Sequence, residues 1–180
     1  MVRSKLIDAL DAYASRYADE RDVVTRFFAL LDGHERCFHN DCWAGHITGS
    51  AWVLHPKRDS VLLTHHKKLG RWLQLGGHSD GDADTWHVAA REAAEESGLA
   101  VTLLDDAIFD IDIHEIPARK GDPAHEHFDV RFVFHAADER FAVTEESHAL
   151  AWVPLDEVSS YTDEWSVLRL VSKGEHYLER

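Results

Sequence analysis

The sequence predicts an α/β protein in which a sheet carries helices, preceded by a helical pair. Three features predict it. Residues 4–32 repeat apolar side chains at helical spacing, the stretches 51–75 and 101–153 hold short strand-like runs, and between them a Gly-Gly pair leads into a glutamate-rich helix.

Taken in order, Leu6, Ile7, Leu10 and Tyr13 predict a helix over 4–16 with Ser4 as its cap. Val23, Val24, Phe27, Leu30 and Leu31 predict a second over 20–32, ending before Gly33. His34 to His46 is polar, rich in histidine and without a period, so it reads as a loop. Ala51 to Leu54 and Val61 to Leu63, joined by a turn through Pro56, read as a β-hairpin, and Trp72 to Leu75 as a third strand ending at Gly76-Gly77. A helix follows over 85–97, capped by Asp84 or Thr85 and stopped by Gly98. Strands are expected over 101–104, 107–113, 128–136 and 149–153, with 118–126 as a loop. Pro154 opens a short helix and 165–171 a terminal one.

A chain of 180 residues fits one ordinary domain, and 44% apolar with 29% charged residues is the balance of a globular protein. No apolar stretch approaches a membrane span and the first residues lack a signal-peptide core, so a cytoplasmic protein without a membrane partner is expected. Two cysteines, Cys37 and Cys42, give no disulfide framework. The formal net charge of −14 argues against a nucleic-acid polymer as partner. An anionic small molecule, in turn, needs a divalent cation to offset carboxylate repulsion.

On the helix over 85–97, Glu92, Glu95 and Glu96 stand at i, i+3 and i+4 and emerge on one face, beside Arg91. Ala90, Ala93 and Ala94 let the other side lie close to a sheet. A solvated acidic face is the common meaning of such a cluster. The preceding strand, Gly-Gly turn and polar loop point instead to a metal site.

Gly77 to Leu99 resembles the Nudix box: Gly77 fits, and Arg91-Glu92-Ala93-Ala94-Glu95-Glu96-Ser97-Gly98-Leu99 matches its second half with the right spacing. The box's first glutamate falls on Ala83, with Asp80, Asp82 and Asp84 around it. The resemblance implies an α/β/α sandwich on a mixed sheet, with residues 41–180 as the Nudix domain and 1–40 as an N-terminal helical extension. It implies a hydrolase that cuts a diphosphate linkage in a small nucleotide or related organic diphosphate with Mg²⁺ or Mn²⁺. Glu92, Glu95, Glu96 and the Gly77 carbonyl would hold the ion, and Glu92, Glu95 and Arg91 would form the catalytic group. Many members dimerise, and the added helices offer a surface for a homodimer. Arg71 and Trp72, with Lys67 and Lys68, are candidates for substrate contact.

His46 to Val53 and the pair Gly77-His78 are similar to type I isopentenyl diphosphate isomerases, a Nudix-fold branch. Carried over, its metal ligands fall on His39, His46, His78, His127 and Asp129, a second site suited to Zn²⁺ or another transition metal. The cysteine of that branch is Gly76 here, which disfavours isomerase activity. Three further readings stand beside these. Scattered surface histidines, with His125 and His127 on a strand edge facing solvent, need no metal; Cys37, Cys42, His39 and His46 could hold a structural zinc; and Ala83 leaves room for a non-catalytic nucleotide-binding module.

Overall fold

β1 (His46–Leu54) is buried along its whole length, and such a strand needs partners on both edges and cover on both faces. The computed structural model describes residues 2–119, 121–145 and 147–177, and it supplies both. On one edge β1 runs parallel to β7 (His125–Ala136), in register from His46↔His127 to Leu54↔His135. On the other it pairs antiparallel with β4 (Leu75–His78), and at its far end with β2 (Ser60–His66). β2 in turn holds β3 (Arg71–Leu73) and β8 (Ser147–Pro154), while β7 holds β5 (Val101–Leu103) and β6 (Asp110–Ile116). One parallel pair among antiparallel ones makes the sheet mixed, as expected.

The expected hairpin is present but short: β1 and β2 pair antiparallel at Leu54↔Val61 across the turn, and the rest of β2 pairs with β8 and β3. Local alternation identified both strands, but pairing is settled by long-range neighbours. β1 and β7 also start earlier than the apolar pattern suggested, at His46 and His125, because one of their faces is polar there. The expected third strand divides at Gln74, its two halves serving different partners.

Helices cover both faces. Ile47, Ala51 and Val53 of β1, with Phe128, Val130, Phe132 and Phe134 of β7, form one core with α1 (Val2–Arg16), α2 (Arg21–Gly33) and α3 (Thr85–Ser97). Leu6, Leu10, Tyr13, Val24 and Phe27 are buried in it, and the Phe27 ring meets Phe128 edge-on at 5.2 Å, so the first two helices share the core of the sheet. Ser4 lies inside α1 rather than at its cap. On the opposite face Trp52, Leu54, Val61, Val133 and Val153 pack with α4 (Val158–Tyr161) and α5 (Trp165–Gly174) through Val158, Val167 and Leu170. The result is an α/β/α sandwich. No helix among the described residues is long and apolar enough to cross a membrane.

The approach of α3 to β1 depends on Gly49. A Cβ there would lie 2.7 Å from the Thr85 carbonyl oxygen, 2.9 Å from Val88 Cγ1 and 3.0 Å from Ala89 N, all of them atoms of α3. Gly49→Ala should therefore lower stability by about 1–3 kcal/mol, the range for overpacking. Thermal unfolding of the two proteins checks it, and an unchanged midpoint would show that α3 can shift without loss.

Candidate active site

α3 ends at Gly98, whose φ of 71° allows the left-handed C-cap, with its N–H donating to Ala94 O at 2.8 Å. At the other end Asp84 occupies the N-cap position without a side-chain cap bond. Instead the Asp82 carboxylate accepts the Asp84 N–H at 2.9 Å and pairs with His87 at 2.8 Å. Burial works to raise the Asp82 pKa, but those two partners outweigh it and leave it below its ordinary value.

From this frame the glutamates meet the Gly76-Gly77 backbone. Glu96 is 5% exposed and accepts the Gly76 N–H at 2.8 Å. Glu92 lies against Gly77, where a Cβ would collide with its carboxylate, so only glycine permits this approach. Glu95, with a side chain 64% exposed, faces solvent.

Arg91 ties the group together. Its Nη2 donates to His78 O at 2.6 Å and to Glu92 Oε1 at 2.8 Å, with Asp80 Oδ2 at 3.7 Å, and its Nε stands 4.0 Å from Glu95 Oε1. Burial works to lower the Arg91 pKa, but Glu92, Glu95 and Asp80 hold it above its ordinary value. Of the three aspartates around Ala83, Asp80 is therefore the one that reaches this guanidinium, and it also accepts from Asn40 Nδ2 at 2.7 Å. Ala83 itself packs half-buried against the core.

The three carboxylates do not close into one tight group. Among the described residues, the set whose ligand atoms all lie within 4.8 Å of one another is His46, His125 and His127. Strand register builds it: His46 is beside His127 and His127 beside His114, while His125 shares their face two residues earlier. Ring centroids are 4.6 Å apart for His46 and His127, 4.9 Å for His46 and His125, and 5.0 Å for His78 and His127. His125 and His127 are half-buried rather than turned out to solvent.

His39 and Asp129 are not in this set. The His39 ring borders Gly81. Asp129, 2% exposed, accepts from Thr48 Oγ1 at 3.0 Å, Ser50 Oγ at 2.8 Å and Arg131 Nε at 2.7 Å. Cys37 and Cys42 are buried thiols, and Cys37 Sγ accepts from Arg3 at 3.0 Å; no metal-ligating group among the described residues includes either. Sequence reasoning did not place His114 and His125 in the cluster. The signal was their period-2 spacing from Asp112 and His127 on strands.

Arg71 pairs with Glu164, and Trp72 stacks on His65 at 5.1 Å with Tyr161 edge-on at 5.2 Å. Lys67 donates to Glu145 O at 2.8 Å.

Burial first, then the neighbouring histidines, push His46 down to about 4 and His127 down to about 2. Both rings are neutral in the folded protein at pH 7. Unfolded rings titrate near the ordinary value of 6.5, so as pH falls below it the unfolded chain binds the extra protons and stability is lost. The slope is about 1.4 kcal/mol per pH unit for each ring, continuing down to its folded pKa. Metal-stripped protein melted between pH 7.5 and 5, roughly spanning the histidine range, should lose stability more steeply than His127→Gln; parallel slopes would contradict the burial of this charge change.

A family model described as the NUDIX domain matches residues 46–172. No curated protein matches the sequence. Among solved structures, the chain is similar to a NUDIX-family hydrolase from Clostridium perfringens, with 24% identity and a TM-score of 0.55 over 74% of this chain and 97% of that one. A C. elegans Ap4A hydrolase in a binary complex gives 16% and 0.56 over 74% and 97%. The NUDIX domain of Shewanella oneidensis NrtR, complexed with ADP ribose, gives 17% and 0.54 over 83% and 97%. At these identities the likeness is one of fold.

Proposed function

The chain belongs to the Nudix family, and from that premise we propose that it is a divalent-metal-dependent hydrolase of small diphosphates: a nucleoside diphosphate joined to another group, or a related organic diphosphate. One observation carries the reading. Glu92 and Glu96 of α3 lie on the Gly76-Gly77 backbone with Glu95 exposed beside them, so carboxylates, a backbone carbonyl and Arg91 share one corner of the sheet.

The donors are all hard oxygens, which fits Mg²⁺ or Mn²⁺. Glu92, Glu95, Glu96 and the Gly77 carbonyl would hold the ion, which when bound neutralises phosphate charge as the bond breaks. The chain's own groups do the rest. Arg91 fixes Glu92 and the end of β4 together, and Glu96 sets the position of the Gly76 amide. Glu95 is exposed enough to meet the attacking water and take its proton, which supports the base role for it. Asp80 supplies Arg91 with the acidic partner that Ala83 cannot.

Two neighbours support the substrate class, since Ap4A and ADP-ribose both contain phosphate–phosphate bonds. The purified chain should cleave at least one of ADP-ribose, NADH, dinucleoside polyphosphates, nucleotide sugars and nucleoside triphosphates with Mg²⁺ or Mn²⁺. Failure on all of them would leave a nucleotide-binding module in place of an enzyme, and equal cleavage by Glu95→Gln would move the chemistry off that carboxylate.

A further inference from the structure

The imidazole cluster adjoins the carboxylate corner through His78, whose carbonyl accepts from Arg91, but it contains no glutamate and needs its own explanation. On the sheet face opposite α3, near the start of β1 and β7, five histidines gather next to the Asp129–Arg131 network of the same face. We infer that His46, His125 and His127, with His78 beside them, form a binding site for a transition-metal ion of the Zn²⁺ type.

The three offer ring nitrogens within 4.8 Å of one another. His46 is 1% exposed, and its Nε2 is buried with no hydrogen-bond partner. A core packed with neutral rings would leave that atom a standing penalty, whereas an ion uses its lone pair.

The tautomers agree. His46 Nδ1 lies 3.4 Å from Cys42 O and His125 Nδ1 lies 2.9 Å from Pro123 O. A carbonyl can only accept, so each Nδ1 carries the proton and each Nε2 keeps its lone pair. Metal-bound histidines are oriented by this same outer contact. His78 Nε2 and His127 Nε2 are 3.4 Å apart. That matches the separation of about 3.4 Å between adjacent ligands at bonds of roughly 2.0–2.1 Å around a tetrahedral ion. An all-imidazole set favours Zn²⁺ or Co²⁺ and is poor for Mg²⁺, which prefers oxygen.

This set is not the one implied by the isomerase resemblance. His125 enters it, while His39 borders Gly81 and Asp129 is held by Arg131. It is also independent of hydrolysis, since no glutamate of α3 takes part.

The test is titration of metal-stripped full-length protein with Co²⁺ in excess Mg²⁺, read by visible absorption, and with Zn²⁺ against a chromophoric chelator. One equivalent of Co²⁺ with the intense band of a four-coordinate site is expected, in wild type and in Glu95→Gln alike. His125→Ala, made at a half-buried strand start, should weaken binding by more than about 100-fold, beyond the 10–100-fold typical of outer contacts. His127→Asn repeats the test on the neighbouring ligand. Absence of the band in wild type, or undiminished affinity in both histidine variants, would overturn the site.

Discussion

Glu95→Gln is expected to lower diphosphate cleavage by about 10²–10⁴-fold, the usual contribution of a positioned proton acceptor. The substitution keeps the size of the side chain and removes one charge. Because that side chain is 64% exposed and pairs, among the described residues, with Arg91 at 4.0 Å, the fold should notice little, within about 0.5 kcal/mol. Neither neighbour can be altered so cleanly. Glu96→Gln disturbs a buried acceptor of the Gly76 N–H, and Glu92→Gln releases Arg91 from its shortest acidic contact, so both mix loss of chemistry with loss of position. Initial rates of wild type and variant on the best substrate of the panel, beside their melting curves, decide the matter. A fall of less than tenfold at unchanged stability would remove Glu95 from the base role, and parallel falls in rate and stability would make it structural.

The largest effect on stability is expected at Arg131→Met. The Arg131 side chain is 2% exposed and lies among carboxylates. Its Nε donates to Asp129 at 2.7 Å, its Nη1 to Asp110 at 3.0 Å and to Ser166 O at 2.8 Å, and its Nη2 stands 3.3 Å from Asp112. Asp110 would keep Arg169 and Lys173, each at 2.7 Å. Among the described residues, Asp129 would keep neutral donors, the hydroxyls of Thr48 and Ser50 and the Gln74 amide. A buried charge stripped of its partner costs about 3–5 kcal/mol, against a total stability of about 5–15 kcal/mol for a domain. Arg131→Lys should recover part of this at most, because one ammonium cannot reproduce a fork that spans three carboxylates. Urea unfolding of the three proteins measures it. A loss below about 1 kcal/mol for Arg131→Met would mean that Asp129 takes up a proton or another cation, contrary to the closed network seen here.

Glu92, Glu95 and Glu96 could be placed on one face from sequence alone because a helix is local. Its period fixes where i, i+3 and i+4 emerge, Gly98 ends it, and the Gly76-Gly77 pair announces a close backbone approach, all within one short stretch of chain. The apolar stripes of the N-terminal helices and the alternation of several strands were legible for the same reason. Tertiary structure alone decided the rest. It chose β8 and β3 as the partners of β2, started β1 at His46 and β7 at His125, and brought Asp80 rather than Asp82 or Asp84 to Arg91. It also drew His46 and His114 next to His127 while leaving His39 at Gly81. A polar sheet face has no hydrophobic period to read, and residues that touch across parallel strands are far apart in the chain, so their meeting is fixed by burial of the whole sheet rather than by any local preference.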